Sequence, residues 1–399
     1  MTLYPAELHA LKFFNFFKEN LNNINLANLT KECIKQIFLN NLKINNFRNY
    51  KSFEIDLKDQ RAIVLGCNGI GKSNLLESVE FLSQLKSSRA LSDKDLIENS
   101  SDLAEIYGQI DFKDELKLNL SRKGPKKIYV NDSLLKKQSE IKNYIRSVCF
   151  CSNDIDIVRS DPSFRRTWID KVVSQLEPVY VDLLSRFSRL LKQRSHFWRS
   201  ENFLKNQYSE IIESFDIQMS LIGTRIFRRR RRALVKIKPY VAYWHNHLSK
   251  SKEQIDINYL SGIKNISQEE EEEKTISEKI LEQLFNQRST EALTGKCSFG
   301  PHRDDVEFLI NDISVRKFGS SGQQRTFILA LKMAELDLLN NTLNVPPILI
   351  LDDVLAELDI TRQKLLLNAV GKDSQCLISA THLDKFNQSF VGSSQMIYL

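Results

Sequence analysis

The sequence predicts an α/β fold: a mixed sheet with flanking helices and an antiparallel β-subdomain, divided by an inserted α-helical domain. Three observations predict it. An apolar run at Arg61–Leu65 leads into a glycine-rich segment and then an amphipathic helix. A second apolar run, Pro346–Leu351, ends in two aspartates. Between them lies a long stretch with few helix breakers. Continuous apolar runs bounded in this way are typical of strands buried on both faces.

Changes of pattern along the chain divide it into four segments. Residues 1–36 carry no recognisable chemistry: a short helix fits Ala6–Asn20, and a loosely packed extension, or upstream sequence from a misplaced start codon, fits equally well. Residues 37–157 are predicted to form the N-terminal part of a sheet-based core. Residues 158–291 form the helical insertion, and residues 292–399 complete the core.

The antiparallel β-subdomain is predicted from short alternating runs. Apolar and polar residues alternate over residues 42–47, 53–57, 106–112, 116–120 and 128–130. Such alternation points every second side chain to one face, as in half-buried antiparallel strands. The first half of the core is therefore expected to be mainly sheet.

The insertion begins at Asp161-Pro162, because Asp is a good helix cap and Pro suits the first helical position. Two long helical stretches are predicted behind it, Phe164–Trp198 and Tyr208–Leu234. The charge run QEEEEEK at Gln268–Lys274 is expected to be a solvated helix face or a loop tip.

Bulk composition narrows the class of protein. The 399 residues are 42% apolar and carry a net charge of +7, which is compatible with a polyanionic partner. No stretch approaches the roughly 20 apolar residues that cross a bilayer, and the N-terminus lacks the pattern of a secretory signal. Six scattered cysteines form no C-x-x-C pair. These features predict a cytoplasmic protein without a membrane partner or a zinc site.

The glycine-rich segment GCNGIGKS fits the phosphate-loop pattern G-x-x-x-x-G-K-S. Its glycines allow backbone N–H groups to surround phosphates at a helix N-terminus. Lys72 would reach the β- and γ-phosphates, and Ser73 would bind Mg²⁺. A chance glycine-rich turn is the alternative, and the flanking strand and helix argue against it. The candidate ATP-binding residues here are Gly66, Cys67, Asn68, Gly69, Ile70, Gly71, Lys72 and Ser73.

The second apolar run delivers Asp352 and Asp353 at its end. Beside a phosphate loop, the first carboxylate would hold Mg²⁺, and the second would orient or deprotonate an attacking water. The alternative is that the pair simply caps the next helix. The upstream phosphate loop favours the catalytic interpretation, with Lys72 and Asp353 as catalytic candidates.

A third segment, GSSGQQR at Gly319–Arg325, opens an apolar helix. Ser320, Gly322 and Gln323 stand where a hydroxyl and backbone N–H groups meet a phosphate at a helix N-terminus. Taken alone, the segment would be only a helix cap. In order with the other two motifs it suggests a second phosphate contact, which would be useful if it faced the ATP of another subunit. Ser320 is therefore also a catalytic candidate.

These three motifs in this order resemble the ABC-type P-loop ATPase head and, more narrowly, the RecF family of the ABC/SMC-type head ATPases. The resemblance covers the chain from Leu39 to its C-terminus. GPHRDD beside the third segment is more specific to the family than the phosphate loop. The segments that carry the resemblance are FRNY (47–50), GCNGIGKSNLLE (66–77), DPSFRR and SQLEPVY within 161–180, LLKQR (190–194), GPHRDD (300–305), GSSGQQR and LDDVLAELD.

The resemblance implies a DNA-binding protein of replication and recombinational repair. ATP binding would drive homodimerisation and binding to single-stranded DNA and to gapped or double-stranded junctions, and slow, DNA-dependent hydrolysis would release the dimer. It also implies RecO and RecR mediators that load recombinase at single-stranded gaps. By position, Lys72 and Ser73 are the phosphate-loop residues, Ser320 is the signature serine, and Asp352 and Asp353 are the Walker B pair.

The chain departs from the family pattern in three places. Residues 1–36 have no counterpart in it. FCSND at Phe150–Asp154 replaces the usual F-S-P-E-D, so no catalytic role is assigned there. His382 lies where many ABC ATPases keep a histidine that contacts the γ-phosphate, but relatives of this family often lack it.

Two basic clusters are candidate DNA contacts. Arg228, Arg229, Arg230, Arg231 and Arg232 are consecutive on a predicted helix, and Lys126 and Lys127 lie near a predicted hairpin tip at Gly124-Pro125. Both clusters could bind phosphates without reading sequence. Neutralisation of the arginines by nearby acids, such as Glu269–Glu273, is an equally good interpretation.

Other classes of protein fit less well. An SMC-like DNA-organising ATPase is the main alternative, but 320 − 73 = 247 residues between the first and third motifs leave no room for long coiled-coil arms. A transporter ATPase gives no reason for GPHRDD, and no additional acidic cluster suggests a nuclease. A small-molecule kinase does not need the third motif.

Overall fold

The computed structural model describes residues 37–199, 209–250, 253–266, 272–343, 345–369, 374–384, 386 and 388–399. The predicted helix Ala6–Asn20 and the segment 1–36 lie outside the described residues, as does most of the charge run within 268–274. In the part of the chain that is described, no helix is long and apolar enough to cross a membrane.

Fourteen strands are described. They are β1 (Leu39–Phe47), β2 (Tyr50–Asp56), β3 (Arg61–Leu65), β4 (Leu103–Ile110), β5 (Asp114–Ser121), β6 (Lys127–Val130), β7 (Ser133–Leu134), β8 (Ser147–Cys151), β9 (Ile255–Leu260), β10 (Asp305–Ile310), β11 (Ile313–Ser314), β12 (Ile348–Asp352), β13 (Cys376–Ala380) and β14 (Gln395–Tyr398).

The described α-helices are α1 (Lys72–Gln84), α2 (Asp156–Arg159), α3 (Pro162–Leu176), α4 (Val179–Arg199), α5 (Ser209–Ser249), α6 (Glu273–Thr294), α7 (Val315–Phe318), α8 (Ser321–Leu343), α9 (Val354–Glu357), α10 (Ile360–Ala369) and α11 (Gln388–Gly392). Short 3₁₀ turns lie at Asp93–Leu96, Gln138–Asn143 and Ser152–Ile155.

A five-stranded sheet in the order β14-β3-β13-β12-β8 carries the two predicted apolar strands. All of its strand pairs are parallel. Strand β13 lies between the predicted strands β3 and β12. Because the three strands are parallel, their carboxyl ends lie at the same edge of the sheet. In open parallel sheets that edge is where ligands bind.

The predicted antiparallel β-subdomain is a six-stranded sheet in the order β2-β1-β4-β5-β6-β7. Its strands coincide with the alternating runs, and the hairpin predicted at Gly124-Pro125 joins β5 to β6. Its inner side chains, such as Leu42 and Ile106, share a core with α1 and with Ala62 and Val64 of β3. The intervening Ile63 points to the opposite core, with the helices α3, α5 and α8. The parallel sheet therefore lies between two apolar layers.

The insertion differs from its prediction in three respects. The helix predicted over Phe164–Trp198 is two helices, because Pro178 interrupts the chain between α3 and α4. The helix predicted to end at Leu234 continues to Ser249 through Pro239. Pro239 is tolerated because it is exposed, so that water can bond the carbonyl it leaves unpaired.

The insertion is also not wholly helical. Strand β9 alternates buried and partly exposed residues, beginning with Ile255 and Ile257. It pairs antiparallel with β10 from the C-terminal part of the core, and β11 completes a three-stranded sheet. Its partner strand β10 lies about fifty residues further along the chain. The pairing that stabilises β9 therefore leaves little trace in the residues of β9 itself.

Candidate nucleotide-binding site

The glycine-rich loop lies between β3 and α1, as predicted. Gly69 and Gly71 have φ values of 84° and 126°, in a region that side-chain-bearing residues rarely adopt. A Cβ on Gly71 would lie 2.8 Å from both Asn49 Nδ2 and Tyr50 Oη. Glycine is thus required at position 71 by the backbone and by the neighbouring turn.

That turn, between β1 and β2, supports the loop from behind. Asn49 Nδ2 donates to the Ile70 carbonyl at 2.9 Å, and Tyr50 Oη donates to the Gly71 carbonyl at 3.1 Å. Burial raises the pKa of Tyr50 to about 12, so its hydroxyl remains a donor. Neither residue was predicted to have a role in the site. An Asn-Tyr pair in a tight turn ahead of the phosphate loop was the available signal.

Lys72 is buried and its ammonium lies across the loop. Nζ donates to the Gly66 carbonyl at 2.8 Å and to the Cys67 carbonyl at 3.0 Å. The positive charge is therefore held inside the loop, at the N-terminus of α1, where the helix dipole also favours an anion.

Ser73 and Asp352 meet at the carboxyl edge of the parallel sheet. Ser73 Oγ donates to Asp352 Oδ1 at 2.8 Å, and Ser379 Oγ donates to the same oxygen at 2.8 Å. Burial raises the pKa of Asp352, against the effect of these two hydroxyls. A hydroxyl and a carboxylate side by side are ligands that Mg²⁺ accepts, so the donor set fits this cation. Ser379, at the end of β13, was missed because only the fold brings it here.

Asp353 adopts a left-handed conformation with φ of 55° and precedes α9. Its backbone N–H donates to Ser379 Oγ at 2.9 Å. This bend takes the chain out of the sheet immediately after Asp352, which places both carboxylates at the end of the strand. His382 is exposed and lies two residues beyond β13.

The signature segment, Gly319–Arg325, begins α8. Ser320 and Gln323 form a reciprocal cap: the Ser320 N–H donates to Gln323 Oε1 at 3.0 Å, and the Gln323 N–H donates to Ser320 Oγ at 3.2 Å. Ser320 and Gly322 are exposed. The predicted helix cap is therefore present, and it leaves the serine and the helix N-terminus open to solvent.

The helix α8 that follows the signature segment packs against β8, at the edge of the parallel sheet. Lys332 of α8 donates to the Cys149 carbonyl of β8 at 2.8 Å. Strand β8 is three places from β3 in the sheet order, a separation of roughly 14 Å at about 4.8 Å per strand. The structure thus brings Lys72, Ser73, Asp352 and Asp353 together, while no hydrogen bond or ion pair among the described residues joins Gly319–Arg325 to the phosphate loop.

The five consecutive arginines have different environments. Arg230 is buried, and its guanidinium donates to Asp170, the Pro301 carbonyl and Tyr259. It is therefore occupied in the interior and is not available to a phosphate at the surface. Arg228 pairs with Glu273, while Arg229 and Arg232 both pair with Glu177. Within the described residues Arg231 has no acidic partner. The acid-neutralised interpretation thus accounts for most of this cluster.

The two hairpin lysines also differ. Lys126 is mostly buried: its ammonium pairs with Asp93, donates to the Leu85 carbonyl and lies over the Phe81 ring. Lys127 is exposed at the start of β6, and no ion pair involves it among the described residues. The Lys126 ammonium is therefore engaged within its own chain, whereas Lys127 remains a candidate for a phosphate contact.

Comparison with known proteins agrees with this geometry. Residues 38–396 match the family model described as the RecF/RecN/SMC N terminal domain. DNA replication and repair proteins RecF from Synechococcus sp. (strain CC9605) and Gloeothece citriformis (strain PCC 7424) are 44% and 37% identical. The aligned regions cover 88% and 90% of this chain, and 96% and 97% of those proteins.

Two solved structures have a similar fold. One is described as the recombination mediator protein RecF-ATP in the RecFOR pathway; it is 28% identical, with a TM-score of 0.83, and the match covers 90% of this chain and 96% of that one. The other, described as RecF-ATPrS in the same pathway, is 29% identical with a TM-score of 0.80, over 88% and 94% of the two chains.

Proposed function

Because this chain belongs to the RecF family of DNA replication and repair proteins, we propose that it is an ATP-controlled DNA-binding switch of recombinational repair. ATP would join two copies of the chain, the dimer would bind DNA, and slow hydrolysis would separate the copies. The output is the lifetime of the DNA-bound dimer, with no covalent change to DNA.

One observation carries the dimer proposal: Ser320 is exposed, and no hydrogen bond among the described residues joins it to the phosphate loop of its own chain. A helix N-terminus with an exposed hydroxyl is suited to bind phosphate oxygens. Its own chain does not bring it to the Gly66–Ser73 loop. Two copies facing each other with opposite polarity would place each signature segment on the partner's loop, so both sites close at once.

The residues of the phosphate loop and of the Walker B pair would have different roles at the nucleotide. Backbone N–H groups of Gly69–Ser73 and the Lys72 ammonium would bind the phosphates, and Ser73 and Asp352 would hold Mg²⁺. Bound Mg²⁺ would supply charge neutralisation for the phosphates. Asp353 would orient or deprotonate the attacking water, and Ser320 of the partner would complete the γ-phosphate environment. Asn49 and Tyr50 keep the loop carbonyls turned away from the phosphates by bonding two of them.

DNA would bind across the ATP-closed dimer through backbone contacts. The net charge of +7 favours a polyanion, and Lys127 and Arg231 remain the candidates after the paired residues are set aside. The relation of similar structures to the RecFOR pathway supports RecO- and RecR-type mediators as partners and single-stranded gaps as the place of action. That work would take place in the cytoplasm.

Light scattering with size-exclusion chromatography tests this proposal. We expect a monomer without nucleotide and a dimer with ATP and Mg²⁺, and we expect a DNA oligonucleotide to co-elute with the dimer only. Ser320→Arg should keep monomeric ATP binding and lose the dimer, because the long cation would block the partner's phosphate. Ser133→Arg adds the same charge at an exposed serine of β7 and should dimerise normally. A Ser320→Arg protein that dimerises like the wild type would refute the shared-site arrangement.

A further inference from the structure

A chain of buried and partly buried polar side chains connects the phosphate-loop helix α1 to the signature helix α8. It starts at Glu80 of α1, which is 2% exposed. Glu80 accepts from Lys171 Nζ of α3 at 2.9 Å and from Ser88 Oγ at 2.8 Å. Burial would raise the pKa of Glu80, but Lys171 and Ser88 hold it below its ordinary value. Glu80 is therefore ionised and bound to α3.

Helix α3 reaches the signature helix one turn further on. Gln175 Nε2 donates to Glu335 Oε1 at 3.4 Å, and residues 171 and 175 share one face of α3. On α8, Lys332 lies three positions before Glu335 and pairs with Asp154 at 3.0 Å. The contacts thus run from α1 through α3 to α8, and from α8 to the end of β8.

Three lysines, Lys142, Lys171 and Lys332, act on the carboxylates of Glu80 and Glu335. Glu80, Asp154 and Glu335 share Lys171 and Lys332, and Glu335 Oε2 is buried without a hydrogen-bond partner among the described residues. Burial raises the pKa of Glu335, although both lysines act to lower it. A cavity of about 260 Å³ adjoins these groups, lined in part by Ser88, Trp168, Lys171 and Glu335. The lysines therefore have a spare acceptor and space beside them.

Stability alone does not explain this arrangement. Buried ion pairs are often no more stabilising than apolar residues of similar volume, because the charges must be taken out of water. Buried ionic groups can instead fix one relative position of the elements they join. Here those elements are the helix that begins with Lys72 and the helix that begins beside Ser320.

We propose that Lys171 is a positioning residue that sets the placement of the signature helix relative to the phosphate-loop helix. This inference rests on the proposed function, because the two helices bind two different ATP molecules in the dimer. In a symmetric dimer, each signature segment must reach the phosphate loop of the other chain. Both sites close together only if the position of the signature segment relative to the loop within each chain allows this. Lys171 acts on Ser320 through Glu80, Gln175 and Glu335, and it touches neither nucleotide.

Three variants separate positioning from general stability. Lys171→Met keeps an unbranched side chain one atom shorter and removes its charge, and Lys171→Arg restores the charge. Arg194→Met is the matched control: it removes a buried cation of α4 that pairs with Asp216 of α5 and Glu291 of α6, outside the chain of contacts. For each full-length protein, three quantities would be measured: the affinity of the monomer for a fluorescent ATP analogue, the ATP-dependent dimer dissociation constant, and the melting temperature.

We expect Lys171→Met to weaken the dimer by roughly 5- to 150-fold, the usual range of coupling between two sites. Its monomeric ATP affinity should stay within about twofold of the wild type, and Lys171→Arg should recover most of the dimer affinity. Arg194→Met should lower the melting temperature and keep the dimer.

Two results would overturn the inference alone: a wild type that dimerises together with an unaffected Lys171→Met variant, or equal dimer losses in Lys171→Met and Arg194→Met. A wild type that stays monomeric with ATP and Mg²⁺ would overturn the proposed function, and the inference with it.

Discussion

Ser73 Oγ donates a hydrogen bond to Asp352 Oδ1 at 2.8 Å, although 279 positions separate the two residues. Asp352 is the last residue of β12, and Ser73 lies in α1 after the loop that follows β3; these two strands end at the same edge of the parallel sheet, on either side of β13. The Ser379 hydroxyl from β13 binds the same carboxylate oxygen. The site is therefore assembled by three neighbouring strands, and substitutions at their ends should affect nucleotide binding before they affect the fold.

Gly71→Ala should weaken ATP binding. The new Cβ would meet the Asn49 and Tyr50 side chains at 2.8 Å, at a φ of 126° that alanine rarely adopts. Strain of about 1–3 kcal/mol is usual for such a backbone, so the ATP affinity should fall by about 5- to 150-fold if the loop shifts to relieve it. Isothermal titration of the monomer with an ATP analogue measures this.

Gly124→Ala is the control for that experiment. Gly124 lies in the β5–β6 hairpin, where an added Cβ would have no heavy atom within 4 Å, and its φ is not positive. Its ATP affinity should match the wild type. If Gly71→Ala also bound ATP with wild-type affinity, the loop would not depend on the β1–β2 turn for its shape.

Asp353→Asn should prolong the dimer. Asparagine tolerates the left-handed conformation found at this position, so the variant removes the charge and keeps the backbone. Without a base to orient or deprotonate the water, hydrolysis should slow by about 10²- to 10⁴-fold, and the ATP dimer should persist correspondingly longer. Phosphate release and dimer lifetime, followed in the same sample, check this; a dimer that dissociates at the wild-type rate would exclude the role of Asp353.

Arg230→Met and Arg232→Met should have different effects. The buried Arg230 guanidinium binds Asp170 and lies 3.9 Å from the buried Asp304, so its loss leaves Asp304 without this cation and should cost about 3–5 kcal/mol of unfolding free energy. Arg232 is exposed and pairs with Glu177, a contact worth less than about 1 kcal/mol. Urea denaturation measures both. Equal losses would show that the run of arginines acts as one surface cluster.

Lys142 should make stability depend on pH above neutrality. Burial, followed by the neighbouring Arg146 and Lys171, lowers the pKa of its ammonium to about 7 in the folded protein. The unfolded chain keeps that proton up to about pH 10.4, so between these values the unfolded state binds more protons. The contribution of Lys142 to the unfolding free energy therefore rises with pH, by about 1.4 kcal/mol per unit across that window.

Lys142→Met tests that prediction, because methionine does not titrate. Between about pH 7.5 and 9.5, inside the window set by those two pKa values, its unfolding free energy should rise less steeply with pH than that of the wild type. Urea denaturation at several pH values measures the two slopes. Identical slopes for the two proteins would show that Lys142 titrates normally in the folded state.

Much of the architecture could be predicted because its signals are local. The alternating runs became β1, β2, β4, β5 and β6, and the continuous runs became β3 and β12, since burial on one face or both imposes those patterns directly. The break at Pro178 and the strand β9 were missed for opposite reasons. Pro178 is a local signal that the prediction passed over, since a proline ends or kinks a helical pattern, whereas β9 is stabilised by pairing with β10, which its own residues do not reveal.

The sequence by itself determined which groups could bind phosphate: the loop Gly66–Ser73, the pair Asp352 and Asp353, and the capped helix start at Ser320. Those properties depend on residue type and short spacing. Only the tertiary structure decided which of them meet, because strand order brings β3, β13 and β12 together and anchors α8 at β8. It also decided which side chains of the two basic clusters are buried or paired with acids and which are exposed. Burial and pairing with distant acids depend on packing that no local spacing encodes.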